Sequence, residues 1–109
     1  MTATEDPTVL AAVDTIHNEW NNPQMGVDLI ADRLRIHRSS LSRRFHAALG
    51  VSPVKYLTNL RVQNALSRLK AGRQPIGDIA FDCGWTDPNY FSRCIRRATG
   101  LSPKDFRKH

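Results

Sequence analysis

The tetrapeptide Gly50-Val51-Ser52-Pro53 returns as Gly100-Leu101-Ser102-Pro103, close to half of the 109-residue chain away. The likeness spreads outward from there. Leu41-Ser42-Arg43 answers to Phe91-Ser92-Arg93, Phe45 to Ile95, Ala48 to Ala98 and Tyr56 to Phe106, all at a shift of 50 residues. Further upstream Ile30-Ala31 answers to Ile79-Ala80 at a shift of 49, so the second copy holds one extra residue between Ala80 and Asp87. Self-similarity at a fixed period marks a duplicated supersecondary unit. The tetrapeptide itself reads as a helix end followed by a restart: glycine takes a left-handed C-cap, serine caps the next helix, and proline occupies its first turn.

Asp6-Pro7 and Asp87-Pro88 carry the same start signal. These signs predict helices from Asp6-Pro7 to about Trp20, then at 27–34, 38–49, 53–70, 76–83 and 88–99, with a last turn or two through Lys108. Alternating strand patterns are missing, so the fold class is all-α. The predicted inward faces are Leu10, Val13, Ile16 and Trp20 in the first helix and Val27, Ile30, Ala31 and Leu34 in the second. They continue as Leu41, Phe45, Ala48 and Leu49, then Leu57, Leu60, Ala65 or Asn64, and Leu69. Each copy is a short helix, a tight turn and a longer helix with a polar start. That is the helix-turn-helix pattern, whose second helix enters a DNA major groove.

Charge agrees with that reading. The net charge is +6 and the pI about 10.0, which points to polyanions. Residues 1–34 hold six acids against the single base Arg33, whereas residues 35–109 hold fifteen bases against Asp78, Asp82, Asp87 and Asp105. The polyanion contact therefore belongs to the later part. With Leu41 and Phe45 turned inward, the helix at 38–49 leaves Arg38, Ser39, Ser42, Arg43 and His46 outward. With Phe91 and Ile95 inward, the helix at 88–99 leaves Asn89, Tyr90, Ser92, Arg93, Arg96 and Arg97. Arginine matches both acceptors of guanine and asparagine the groove edge of adenine. A merely solvated helix usually mixes glutamate with its lysines and arginines; these two helices contain no acid.

The stretch Ile79-Ala80-Phe81-Asp82-Cys83-Gly84-Trp85, with Asp87-Pro88, Tyr90-Phe91-Ser92-Arg93, Gly100-Leu101-Ser102-Pro103 and Phe106-Arg107, resembles the signature of the AraC/XylS family of bacterial transcription regulators. The resemblance covers residues 8–108. The opening segment, with Asp6-Pro7, Ile16-His17 and Val27, looks most like the branch of xylose-operon regulators. The family implies a seven-helix domain: two homeodomain-like helix-turn-helix subdomains, at about 7–51 and 73–108, joined by a linker helix at about 53–70. Its recognition helices enter successive major grooves, about 34 Å apart.

Carried over by position, the base readers are Ser39, Ser42 and Arg43 in the first unit and Asn89, Tyr90 and Arg93, with Cys94 beside them, in the second. Phosphate contacts fall to Arg38, Arg44, His46, Arg96 and Arg97. Small Ser39 and Ser42 stand where other members often carry large side chains, which leaves Arg43 as the main discriminator of the first unit. Most members have an effector-binding or dimerisation domain ahead of this one. The resemblance thus implies the DNA-binding domain of a longer effector-responsive regulator; the alternative is a stand-alone activator that also touches RNA polymerase through its acidic first segment.

Other function classes find little support. An enzyme needs convergent acid, base or nucleophile groups, and His17, His37, His46 and His109 have no metal-ligand spacing. No cofactor or metal is expected. Cys83 and Cys94 lack CxxC spacing and fit a reducing cytoplasm, Cys83 as a core residue and Cys94 as a partly exposed one. No apolar run reaches the roughly 20 residues that span a bilayer, and the N-terminus does not read as a signal peptide. A membrane-surface helix would need a broad aromatic face, and Trp20 and Trp85 read as inward.

Overall fold

The computed structural model describes residues 5–109, and among them the chain forms seven α-helices and no strand: α1 (Pro7–Glu19), α2 (Val27–Leu34), α3 (Arg38–Leu49), α4 (Pro53–Ala71), α5 (Ile76–Asp82), α6 (Pro88–Thr99) and α7 (Pro103–Lys108). The reading of the N-terminus as no signal peptide falls partly on residues 1–4, outside the described residues. Four of the seven helices open on a side-chain cap placed before a proline. The Asp6 carboxylate accepts from the Thr8 and Val9 N–H groups at 2.9 and 3.4 Å, and Asp87 from the Asn89 N–H at 2.9 Å. Ser52 and Ser102 hydroxyls accept from Lys55 and Asp105 N–H groups, each at 3.1 Å. Both α3 and α6 end on a glycine of positive φ, Gly50 and Gly100. Cap, proline and glycine act locally, so they fix helix ends before tertiary packing intervenes.

The contacts divide the chain into two units. One holds α1, α2, α3 and the start of α4 through Leu57; the other takes α4 from Thr58, then α5, α6 and α7, together with the short segment Asn21–Pro23. Helix α4 runs unbroken through the boundary. In the first unit α1 packs on α2 and α3, and α2 on α3. In the second, α6 packs on α5 and α7. The first core centres on Val9, Ala12, Ile16, Ile30, Leu41, Phe45 and Leu57, and the second on Val62, Ala65, Leu69, Ile79, Cys83, Trp85, Phe91 and Ile95. Edge-on aromatic pairs tie each together: Phe45 with Tyr56 at 5.7 Å and Trp85 with Phe91 at 4.9 Å between centroids.

Some inward faces differ from expectation. In α1 the buried stripe is Val9, Ala12 and Ile16, whereas Leu10 is 45% exposed and Val13 and Trp20 are half-buried. The helix offers apolar residues at 9, 10, 11, 12 and 13, so the sequence admits two rotations, and packing on α2 and α3 selects one. In α4 Val62 is buried and Leu60 only half-buried. A helix shared by two cores has no reason to keep one straight apolar stripe.

The turns between paired helices share one hydrogen-bond pattern. Arg35 N–H donates to the Asp32 carbonyl (3.2 Å) and Ile36 N–H to that of Ala31 (3.1 Å). In the second unit Gly84 N–H donates to Phe81 (3.1 Å) and Trp85 N–H to Ala80 (3.0 Å). Each pair keeps the shift of 49, and the caps His37 and Asp87 already show the shift of 50. The extra residue of the second copy is therefore Thr86, inserted after the turn has closed.

Candidate nucleic-acid interface

In the first unit, packing of Leu41 and Phe45 into the core fixes the rotation of α3 and thereby decides which residues face outward. Arg38, Ser39, Arg43 and His46 are exposed and Ser42 is half-buried. Arg43 and His46 make no hydrogen bond or ion pair among the described residues. Arg38 lies 3.1 Å from the Asp28 carboxylate, with both side chains mostly in solvent, so that pair is weak and exchangeable. The Ser39 hydroxyl lies 3.0 Å from Nδ1 of His37.

Arg44 is paired within its own unit. Its Nε and terminal nitrogen donate to the two oxygens of Asp6 at 2.9 and 2.7 Å. The same carboxylate caps α1, so one acid ties the start of α1 to the middle of α3. Hydrogen bonding to Arg44 holds the Asp6 carboxyl below its ordinary value, and the Arg44 pKa is raised in turn by Asp6. This forked pair uses two of the five N–H donors of the guanidinium that was expected to hold phosphate.

In the second unit Phe91, Cys94 and Ile95 are buried, and Asn89, Tyr90, Arg93, Arg96 and Arg97 are exposed on the other side of α6. Arg96 and Arg97 have no ion-pair partner among the described residues. The Arg93 guanidinium carbon sits 5.5 Å from the centre of the Tyr90 ring. Cys94 was expected to be partly exposed and near the bases; it is 4% exposed and faces the core. It occupies the place of Arg44 in the repeat, and a small sulfur side chain there packs as an apolar group. The neighbouring Cys94 pushes the Tyr90 pKa up.

Sequence reasoning missed two arginines that shape the second unit. Arg61, on α4, donates to the Asn22 carbonyl at 2.8 Å and lies against Gly84, where an added Cβ would meet its Nε at 2.8 Å. Desolvation lowers its pKa. Arg107 donates to the carbonyls of Leu69 (3.3 Å) and Gln74 (2.5 Å), closing the end of α4. Arg107 stands in the signature stretch, yet neither contact could be read from sequence, because each partner is a backbone carbonyl more than 30 residues away. In the acidic first segment Asp6, Glu19 and Asp28 pair with Arg44, Arg33 and Arg38 of their own unit. No helix among the described residues is long and apolar enough to cross a membrane.

Two polar recognition-type helices on duplicated units agree with what known proteins show. The family described as "Helix-turn-helix domain" matches residues 30–109. An AraC-like transcription regulator of Streptomyces lividans is 34% identical over 104 residues, covering 95% of this chain and 34% of that protein. The chain thus spans about a third of the length of that relative. Among solved structures, the C-terminal domain of the response regulator AraT from Geobacillus stearothermophilus superposes with a TM-score of 0.90 at 29% identity, over 94% of this chain and 85% of that one. The DNA-binding domain of the global transcriptional factor AdpA, solved in complex with a target DNA, gives 0.84 at 26%, over 93% and 90%. The xylose-binding transcription activator XylR gives 0.77 at 27%, over 99% and 28%; that likeness does not set the xylose-operon branch apart from the others. Fold, duplicated motif and family match agree: the chain belongs to the AraC/XylS family of DNA-binding transcription regulators.

Proposed function

We propose that the chain binds double-stranded DNA sequence-specifically to regulate transcription, with α3 and α6 each entering a major groove of one operator. The observation that carries this is the outward face of both helices, which presents arginines and small polar groups and contains no acid along either helix. In this reading Ser39, Ser42 and Arg43 of the first unit and Asn89, Tyr90 and Arg93 of the second face base edges, with Arg43 and Arg93 taking guanine O6 and N7. Arg38, His46, Arg96 and Arg97 hold phosphates. Arg44 joins that set through the donors Asp6 leaves open, and Cys94 is left out of the base readers because it is buried. The function is one of binding, carried out in the cytoplasm. The length of the relatives supports a longer, effector-responsive parent in which a small-molecule inducer acts through a separate domain.

Binding to unrelated duplex across a salt series tests the phosphate part. Log affinity falls against log salt with a slope of about −0.9 per phosphate held, and Arg96→Ala or Arg97→Ala lowers the slope by about one unit on every duplex. A flat salt response would sink the proposal. On an operator selected from random duplexes, Arg43→Ala and Arg93→Ala each cost about 1–3 kcal/mol with little effect on random DNA. The two losses are close to additive for separate grooves. Equal losses on operator and random DNA would demote both arginines to phosphate clamps.

A further inference from the structure

Tyr90 and Arg93 are three residues apart on α6, a spacing that places side chains next to each other on a helix surface. The guanidinium carbon of Arg93 stands 5.5 Å from the Tyr90 ring centre, within reach of a cation–π contact. The exposed Tyr90 ring offers a flat face to one arginine. The first unit has no such device. Ser40 stands in the place of Tyr90, and no aromatic ring meets Arg43 among the described residues. An arginine that is free before binding loses rotamer freedom when it docks, whereas one already stacked loses less.

We infer that Tyr90 is a positioning residue that holds Arg93 in the orientation it uses to read its base, which makes the second unit the stricter reader of the two. The inference rests on the base-reading role given above to Arg93. It also departs from the expectation that Tyr90 contacts DNA directly. Its effect is exerted through the guanidinium.

The test is discrimination at single base pairs, measured at one fixed salt concentration on the selected operator and on every single-base variant of it. Arg93→Ala identifies the base pair that Arg93 reads. Tyr90→Leu loses about two- to five-fold of the discrimination at that same base pair, the scale of an exposed cation–π contact. Tyr90→Phe keeps the ring and retains most of it. In the Arg93→Ala background, Tyr90→Leu has no further effect. Tyr90 is 40% exposed, so these variants fold, and helical circular dichroism with thermal melting verifies it. A ratio of two affinities of the same variant is insensitive to its folded fraction. A loss from Tyr90→Leu at some other base pair, or one that persists without Arg93, overturns the inference and makes Tyr90 a direct contact. If Arg93→Ala leaves discrimination unchanged at every base pair, the base-reading role itself falls, a different failure.

Discussion

At the turn between its paired helices the first unit places Arg35 in the left-handed region, with φ of 56°, and the second unit places Gly84 there, with φ of 98°. The hydrogen bonds around the two residues match one for one. Backbone geometry at this point is therefore imposed by the motif and tolerates two chemistries. What differs is the surroundings. Arg35 is exposed, so its side chain has room and only the backbone conformation is costly. Gly84 is buried against Arg61, so a side chain there meets a second obstacle. The duplicated units have the same turn and different latitude for change.

Gly84→Ala gives the largest effect. It adds left-handed strain of about 1–2 kcal/mol and pushes on Arg61, whose terminal nitrogen holds the Asn22 carbonyl at 2.8 Å. The expected loss is about 2–3 kcal/mol in all, confined to the second unit. Each unit contains one tryptophan, Trp20 in the first and Trp85 in the second. Urea unfolding of Trp20→Phe and Trp85→Phe proteins follows the units separately. A Gly84→Ala loss seen equally by both reporters would break the comparison, since it would mean that the units unfold as one.

Helix ends were legible in the sequence because their causes are local. Asp6-Pro7, Ser52-Pro53, Asp87-Pro88 and Ser102-Pro103 cap the helices that follow them. The outward faces of α3 and α6 were legible because bulky Leu41, Phe45, Phe91 and Ile95 leave one rotation open. The burial of Cys94 was not. Its repeat partner Arg44 is a polar residue paired with Asp6, and the sequence carries no sign that the same helical position faces a core in the other unit. The rotation of α1 was missed for a related reason, since apolar Val9 and Leu10 are neighbours and only contact with α2 and α3 separates them.

Acid sharpens the comparison, because Asp6 joins α1 to α3 in the first unit and the equivalent place on α6 is Cys94. A carboxyl whose folded pKa lies below its ordinary 3.8 binds its proton more weakly folded than unfolded. The stability it contributes is fully present above that ordinary value and is lost as pH falls through the lower folded value. The pair is near the surface, so the effect is modest and shrinks with added salt. The Trp20 reporter is expected to show a lower urea midpoint as pH falls below 3.8, and Asp6→Asn removes that part of the acid response. A variant whose acid response matches the original would show that the Asp6–Arg44 pair contributes nothing.

The smallest effect, Arg35→Gly, has the opposite sign from Gly84→Ala and is the more direct test of the turn. A non-glycine residue in the left-handed region carries about 1–2 kcal/mol of strain, which glycine relieves. Against this, glycine gives the unfolded chain more freedom, a cost of about 0.4–1 kcal/mol. Arg35 makes no ion pair or ring contact among the described residues, so the substitution removes no contact that offsets the gain. The balance is a stabilisation of about 0.5 kcal/mol, read as a higher urea midpoint by the Trp20 reporter with no change at Trp85. The slope of unfolding against urea stays the same, because the exposed side chain alters little of the surface that unfolding uncovers. A loss of stability instead would mean that Arg35 holds a contact in solution, and the two turns would then differ in more than strain.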